Sequence, residues 1–485
     1  MIAAARREAF RILLQIEGGD AHSDELLRSP EVDALSAADR HLTTMLVLGT
    51  LRWQIALDAQ IRTLLARPDA KLSPEAATAL RMGAYQLLHL DRVPAHAVLN
   101  DSVELVKRGT ERGAAGMVNA VLRKIQATGR RPQAAGTDRP GGGALRARSK
   151  PEQPAQPEEI AGQWAHPVWM VERWVRRYGL EAAEAICRWD QEPAALVIRA
   201  EPHAEVPGLE TEPGAFLACA RRVVRGDVGR SEAFRAGQIR IQDEASQLVA
   251  EVLADWVLAA RADSETHPDS EPAAEAGPVR VLDLCAAPGG KTAILAERLP
   301  GAEITAIDVS RKRLDAMRRM LPQGLASRMR FEVADAAKME LQPEWDLILC
   351  DVPCSGTGTM ARNPEIRLRV TEADLARQQV RQRAILRAGL AGVLPGGRVV
   401  YSTCSLEPEE TEQVVEAALR DAPGLRLVPV DGILDALAER GILTAEGRER
   451  LRSATGGPYL RTLPGVHPCD GFFAAVLERE PQQAS

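Results

Sequence analysis

The sequence lacks the features of membrane and secreted proteins. No run of about 18 apolar residues occurs among the 485 residues, so no transmembrane helix is predicted. The first 20 residues interleave charged and apolar side chains at helical spacing and have no small-residue cleavage site. This pattern predicts a helix and not a signal peptide. We therefore expect a cytoplasmic protein without a membrane partner.

Paired cysteines and aromatic residues are also scarce. The seven cysteines are odd in number, and no two have CxxC spacing, so we expect neither a disulfide framework nor a zinc or other metal site. Reduced thiols are the expected state, which leaves a thiolate available as a catalyst. Aromatic residues make up only 4% of the chain, so recognition of bases cannot depend on many stacking surfaces.

The net charge of -6 is unfavourable for a nucleic-acid partner, but the charge is unevenly distributed. Residues 261–278 carry one arginine and five acids. Residues 311–330 carry seven basic residues and one acid, and residues 362–387 carry seven arginines and three acids. Both basic stretches flank the chemical motifs described below. We therefore expect them to contact phosphates, with solvated helix faces as the alternative.

The length suggests about three domains. Residues 1–126 show apolar residues at helical spacing and predict an all-helical domain, and residues 127–159 are rich in Gly, Pro and Arg and predict a flexible linker. Residues 160–235 are predicted to form a small α+β connecting subdomain. Strands and helices alternate in residues 236–485, apart from an acidic insert at 261–278. The alternation predicts an α/β doubly wound, Rossmann-like domain with ligands at the carboxyl ends of its strands.

The motif VLDLCAAPGGKT, residues 281–292, predicts a strand, a turn of small residues and a helix. Such a turn lets a ligand approach the backbone closely. It is not the dinucleotide motif GxGxxG, which disfavours a nicotinamide enzyme. Asp308 follows Gly290 by 18 residues and ends the next predicted strand, and Asp335 and Asp351 end the two after it. Three acids at successive strand ends predict an S-adenosylmethionine pocket, with helix capping as the alternative.

Two cysteines fall at predicted strand ends beside this pocket. Cys354 lies in DVPCSGTGTMARNPEIR, residues 351–367, and Cys404 lies in YSTCSLEPEE, residues 401–410. Because the carboxyl ends of parallel strands share one edge of a sheet, both thiols are expected in the same cleft. The remaining cysteines outside the pocket motif are expected to be small buried apolar residues: Cys187, Cys219, Cys350 and Cys469.

These three motifs resemble those of the RNA 5-methylcytosine methyltransferases of the NOL1/NOP2/Sun family. RTLPGVHPCDGFFAAVLER resembles the C-terminal strand signature of that family, and GQIRIQDEASQLVAEVL resembles the segment leading into its catalytic domain. The helical N-terminus, with GTLRW and RMGAYQLLHLDRVPAHAVLNDSVELVK, is similar to a NusB-like RNA-binding domain. That pairing resembles the bacterial branch of the family that modifies 16S ribosomal RNA. The resemblance covers nearly the whole chain except the linker and the insert.

The resemblance implies S-adenosylmethionine as cofactor, ribosomal RNA as partner, and a set of site residues. Cys404 matches the nucleophile of the family and Cys354 the thiol that assists product release, while Asp351 is expected to bond the cytosine ring. The implied cofactor-binding residues are Cys285, Ala286, Ala287, Pro288, Gly289, Gly290, Lys291, Asp308, Asp335 and Asp351. Because Cys404 has to react as a thiolate, we expect its surroundings to lower its pKa.

Two departures from the family pattern and several alternatives remain. Leu368-Arg369-Val370 stands where a tryptophan is common, and Thr411 replaces a frequent asparagine. The substrate could be transfer RNA, or DNA, in which case Cys354 would be the nucleophile. A non-catalytic RNA-binding or assembly factor is the alternative from another class. The target base has to be single-stranded or extruded to reach the cleft. The sequence does not indicate an oligomeric state, and a monomer is assumed.

Overall fold

The computed structural model describes residues 2–19, 21–128, 156–202, 204–266 and 277–481. Most of the predicted linker and most of the predicted acidic insert lie outside these residues. The chain divides into two compact units, the first made of Met1–Pro193 with Met360–Arg369, and the second of Ala194–Thr359 with Val370–Ser485. The predicted connecting subdomain, 160–235, is shared between the two. Along the described ranges, no helix is both long and apolar enough to cross a membrane.

The N-terminal part of the first unit is helical, as predicted. Ser73 caps one helix by accepting a hydrogen bond from the backbone N–H of Ala76, and Pro74 occupies its first turn. Fully buried side chains such as Leu46, Leu80 and Leu122 form an apolar core between the helices. The helices are α1 (Ala4–Glu17), α2 (Ser23–Leu26), α3 (Pro30–Asp33), α4 (Ala37–Leu64), α5 (Pro74–His89), α6 (Ala95–Arg108), α7 (Ala115–Ala127), α8 (Pro157–Gln163), α9 (Val168–Tyr178) and α10 (Leu180–Trp189).

The second unit begins with a small antiparallel sheet. Its strands are β1 (Val197–Arg199), β2 (Glu210–Pro213), β3 (Ala220–Arg225) and β4 (Arg240–Ile241). They lie in the order β2-β3-β1-β4, and a single helical turn, α11 (Glu232–Arg235), precedes β4 in the chain.

A larger sheet follows. Its strands are β5 (Arg280–Asp283), β6 (Glu303–Asp308), β7 (Met329–Val333), β8 (Trp345–Asp351), β9 (Val393–Thr403), β10 (Leu425–Val428), β11 (Leu460–Thr462) and β12 (Phe472–Arg479). They lie in the order β10-β12-β9-β8-β5-β6-β7, with β11 paired to β12. The strands from β9 to β7 are parallel, and β12 pairs with β9 in the antiparallel sense. The order reverses between β5 and β8, which places a crevice at their carboxyl ends.

Helices cover both faces of this sheet, as the doubly wound prediction required. Leu347 and Leu349 of β8 belong to one apolar cluster, and Ile348 and Cys350 belong to the other. Because side chains alternate along a strand, both faces are buried. The remaining helices of the chain are α12 (Glu244–Thr266), α13 (Gly290–Arg298), α14 (Arg311–Met320), α15 (Gln323–Ala326), α16 (Ile366–Arg369), α17 (Glu372–Gly392), α18 (Glu412–Asp421), α19 (Val430–Glu439) and α20 (Ala445–Arg450).

The short segment Met360–Arg369, which contains α16, belongs to the first unit although it follows β8 in sequence. Glu365 is fully buried and accepts hydrogen bonds from the backbone N–H and the hydroxyl of Ser23, at 2.8 and 2.9 Å. Arg367 is also buried and donates to the carbonyl oxygens of Arg52 and Asp190. Leu368, one of the departures from the family pattern, packs against the apolar core of this unit.

Candidate active site

The loop between β5 and α13 is built from small residues, as the sequence predicts. Gly289 caps the helix with a φ of +102°, in the left-handed region that favours glycine. A Cβ atom at this position would lie 2.5 Å from Cγ of Met317, so no larger residue fits without displacing that side chain. The loop therefore packs closely against α14, and glycine suits both the backbone conformation and the space at this position.

Carboxylates stand at or just after the ends of four neighbouring parallel strands. Asp283 ends β5, Asp308 ends β6 and Asp351 ends β8, while Asp335 follows β7 by two residues. The backbone N–H of Ser310 donates to Oδ1 of Asp308 at 2.8 Å. The predicted acids therefore line one edge of the sheet, around the point where the strand order reverses.

Asp308 and Asp335 have exposed basic neighbours. An arginine of α14, Arg313, pairs with Oδ2 of Asp308 at 3.2 Å and also donates to the carbonyl oxygen of Ala287. The exposed Lys338 lies 3.3 Å from Oδ2 of Asp335. A ligand with hydroxyl or ammonium groups would join or displace these exposed basic side chains.

Asp351 links the loop of small residues to the strand that carries Cys404. Its Oδ2 atom lies 2.7 Å from Nζ of Lys291, which projects from the first turn of α13. Its Oδ1 atom accepts a hydrogen bond of 2.7 Å from the hydroxyl of Ser402 on β9. The carboxylate is 29% exposed, so it keeps an open side toward solvent while two donors fix its orientation.

The two thiols predicted at strand ends face each other. Sγ of Cys354 and Sγ of Cys404 lie 3.2 Å apart, although 50 residues separate them in sequence. The backbone N–H of Val352 donates to the carbonyl oxygen of Ser402, and that of Gly358 donates to the carbonyl oxygen of Cys404. The turns after β8 and β9 are therefore held together on both sides of the thiol pair.

Comparison with known proteins shows the family to which the chain belongs. A family model described as 16S rRNA methyltransferase RsmB/F matches residues 273–478, and a NusB family model matches residues 3–127. The probable ribosomal RNA small subunit methyltransferase B of Bacillus subtilis is 30% identical over 98% of this chain and 99% of its own length. The ribosomal RNA small subunit methyltransferase B of Xanthomonas campestris is 32% identical over 98% and 97%.

The chain belongs to the RsmB/F family of RNA methyltransferases. A solved structure, the crystal structure of PH0851, aligns with a TM-score of 0.73 over 99% of both chains at 23% identity, which supports the fold. The predicted combination of a NusB-like helical domain with a Rossmann-like methyltransferase domain is therefore confirmed.

One electrostatic expectation for this RsmB/F family member is wrong. The surroundings of Cys404 raise its pKa well above the ordinary value, instead of lowering it. The hydrogen bond with the Cys354 thiol is the largest cause, and burial and the charge of Asp351 act in the same direction. The charge of Lys291 opposes them. Cys404 is therefore held as a thiol in this arrangement, and its proton has to leave before it can react.

The second basic stretch, 362–387, divides into two groups. Arg367 is buried and Arg369 is half-buried, and Arg369 donates to the carbonyl oxygens of Ile16 and Ala21. These two arginines hydrogen-bond within the first unit, so the expectation that they contact phosphates is wrong. Arg381 and Arg387 on α17 are exposed and stay available for that role. The basic residues of 311–330 are exposed as well.

Some residues of the site were missed by the sequence reasoning. Asp283 shares the strand-end position of the three predicted acids, so the same signal could have found it. Its Oδ2 atom accepts a hydrogen bond of 2.7 Å from Thr292. Ser402 gave no signal of its own, because only the pairing of β8 with β9 brings it to Asp351. Within the described residues, no group of three or more His, Cys, Asp or Glu side chains could hold a metal ion.

Proposed function

We propose that this chain transfers a methyl group from S-adenosylmethionine to carbon 5 of a cytosine in RNA, with 16S ribosomal RNA as the substrate. The observation that carries the proposal is the 3.2 Å approach of the Cys354 and Cys404 thiols. This chemistry needs one thiol to bond the base and a second group to help release it. Relatives named as ribosomal RNA small subunit methyltransferases, aligned over nearly the full chain, support the choice of substrate.

The loop and the strand-end carboxylates fit the cofactor. S-adenosylmethionine, when bound, supplies an electrophilic methyl group. Carboxylates accept hydrogen bonds from ribose hydroxyls and attract an ammonium group, so Asp308, Asp335 and Asp351 would hold it together with the loop from Cys285 to Lys291. A Cβ atom at position 289 would collide with Met317, so the glycine allows the loop to pack closely against α14.

The residues of the chain divide the reaction into steps. The Cys404 thiol first gives its proton to solvent. The resulting thiolate adds to carbon 6 of the cytosine, and the displaced electron pair makes carbon 5 nucleophilic. Asp351, oriented by Lys291 and Ser402, forms a hydrogen bond with the cytosine ring and so stabilises the adduct. After methyl transfer, Cys354, which has given its own proton to solvent, takes the proton from carbon 5 as a thiolate base. The bond between carbon 6 and sulfur then breaks, and its electron pair returns to Cys404.

The proposal is tested by methyl transfer to unmodified small-subunit ribosomal RNA, with transfer RNA and DNA of matching sequence as competing substrates. Cys404→Ala should abolish transfer, because the variant lacks the thiol that bonds carbon 6. Cys354→Ala should trap a covalent protein–RNA adduct that survives denaturing electrophoresis. Cys187→Ala, which removes a buried thiol of the first unit, serves as the control and should behave like the wild type.

Other outcomes would indicate a different nucleophile, a different substrate or a different function. Continued cytosine methylation by Cys404→Ala, with loss in Cys354→Ala, would make Cys354 the nucleophile. Preferential modification of transfer RNA would change the substrate and leave the chemistry intact. A wild-type protein that binds RNA but neither binds S-adenosylmethionine in calorimetry nor methylates any of these substrates would be a non-catalytic RNA-binding factor.

A further inference from the structure

Glu410 is a fully buried carboxylate beside the thiol pair. It lies six residues after Cys404, in the single helical turn Pro408–Glu410. Its Oε1 atom accepts hydrogen bonds from the backbone N–H of Ser355 at 2.9 Å and from Nε2 of Gln382 at 3.0 Å. The hydroxyl of Ser355 donates to its Oε2 atom. Two of these three donors thus come from the residue that directly follows Cys354.

Gln382 extends this network to the other side of Cys354. It projects from α17, is fully buried, and donates from the same Nε2 atom to the carbonyl oxygen of Pro353 at 3.0 Å. Pro353 and Ser355 flank Cys354 in the chain. The backbone before Cys354 is therefore held by Gln382, and the backbone after it is held by Glu410.

Glu410 is itself fixed to the strand that carries the nucleophile. The hydroxyl of Tyr401, which is fully buried on β9, donates to the carbonyl oxygen of Glu410 at 2.6 Å. The same strand ends next to Cys404. The network therefore connects the turn of Cys354 to the strand of Cys404 through one residue, by the carboxylate of Glu410 on one side and its backbone carbonyl on the other.

The chemistry of this position favours a carboxylate over its amide. The side-chain oxygens of Glu410 face a backbone N–H, a hydroxyl and an amide NH₂, and an ionised carboxylate accepts from all three. A glutamine of the same shape would turn its own NH₂ group toward one of these donors. Charge-assisted hydrogen bonds are shorter and stronger than neutral ones, so the carboxylate also confines the turn more tightly.

We infer that Glu410 is a positioning residue that holds the Cys354 thiol in place for the release step. The inference rests on the proposed function, because it presumes that Cys404 forms the covalent adduct and that Cys354 acts after methyl transfer. Glu410 touches neither sulfur in the contacts described above. It acts through Pro353 and Ser355, by setting where the turn places Cys354.

The test compares Glu410→Gln with Glu416→Gln, which neutralises an exposed carboxylate on α18. We expect Glu410→Gln to lower kcat on the order of tenfold to a hundredfold, as a displaced catalytic group does, while KM stays within about twofold. Covalent protein–RNA adduct should accumulate, because release is slowed and bond formation by Cys404 is not. A purely structural role would lower the melting temperature and the amount of adduct together, and that result would overturn the inference.

A double variant separates action through Cys354 from any other role. In a Cys354→Ala background, Glu410→Gln should leave the rate of adduct release unchanged, since the group that it positions is already gone. If Glu410→Gln slows release by the same factor in both backgrounds, Glu410 does not act through Cys354 and the inference fails.

The same experiment distinguishes this failure from failure of the proposed function. If the wild type methylates RNA and Cys354→Ala traps adduct, but Glu410→Gln turns over like the wild type, only the positioning role is wrong. If neither Cys354→Ala nor the wild type ever forms a covalent adduct, the proposed function itself is wrong.

Discussion

Nζ of Lys291 lies 2.7 Å from Oδ2 of Asp351 and 4.9 Å from the ring centroid of Phe472. The lysine side chain is 10% exposed, so its charge is largely removed from water and acts strongly on its neighbours. It lowers the pKa of Cys404, against the larger effects that raise it. A lysine at the start of a helix is often only a solvated side chain, but this one is directed into the site.

Replacing Lys291 by methionine should therefore slow adduct formation and move its pH dependence to higher pH. Without the lysine charge the pKa of Cys404 rises further, so a smaller fraction of Cys404 is a thiolate at any pH. Single-turnover adduct formation, followed from neutral pH to well above the ordinary thiol pKa of about 8.5, measures the shift. Lys338→Met is the matched control, since Lys338 pairs with Asp335 and is 83% exposed. An unchanged pH profile in Lys291→Met would contradict the prediction.

Cys354 is the neighbour with the largest effect on the pKa of Cys404. Its removal should move the pH dependence of adduct formation in the opposite direction, to lower pH. Cys354→Ala deletes the hydrogen bond that contributes most to the raised pKa of Cys404, so the pKa falls and adduct formation should proceed at lower pH than in the wild type. Cys354→Ser keeps a hydrogen-bonding group at the same place and should move the profile less. The measurement is again single-turnover adduct formation against pH. A profile that moves to higher pH in Cys354→Ala would show that the two thiols are not coupled as described.

The sequence was informative where the chemistry depends on position along a strand. The turn of small residues, the acids Asp308 and Asp351, and the placement of Cys354 and Cys404 at strand ends all follow from local pattern together with the rule that parallel strands end at one edge. What it could not provide depends on distances between remote residues. The raised pKa of Cys404 arises from a thiol 50 positions away. Similarly, Arg367 resembles its exposed neighbours in sequence, and only tertiary packing makes it a buried donor.

The buried Asp283 side chain should make the stability of the folded protein depend on pH. Burial raises its pKa from 3.8 to about 7, although the hydrogen bond from Thr292 opposes the shift. The folded protein therefore keeps this proton where the unfolded chain releases it. The stability that protonated Asp283 contributes is fully present below about pH 4 and is lost as pH rises through 7.

Asp283→Asn removes this dependence, because an amide stays neutral at every pH. Relative to the variant, the wild type should lose roughly 2–3 kcal/mol of unfolding free energy between pH 5 and pH 8. Denaturant unfolding of both proteins at the two pH values measures the difference. Asp315→Asn, on the exposed face of α14, should show no such change. If the difference in unfolding free energy between the wild type and Asp283→Asn is the same at pH 5 and pH 8, Asp283 is ionised in the folded protein over that whole range.

The guanidinium group of Arg367 donates hydrogen bonds to backbone carbonyl oxygens of the first unit. Burial lowers its pKa to about 10, so it still carries its charge at neutral pH. Arg367→Met keeps much of the apolar stem but leaves the carbonyl oxygens of Arg52 and Asp190 without this donor. We expect a loss of roughly 2–4 kcal/mol in unfolding free energy and faster proteolysis within Met360–Arg369. Arg381→Met, at an exposed position of α17, should change neither. Equal behaviour of the two variants would mean that the other contacts of the segment, among them those of Glu365 and Arg369, hold it without this donor.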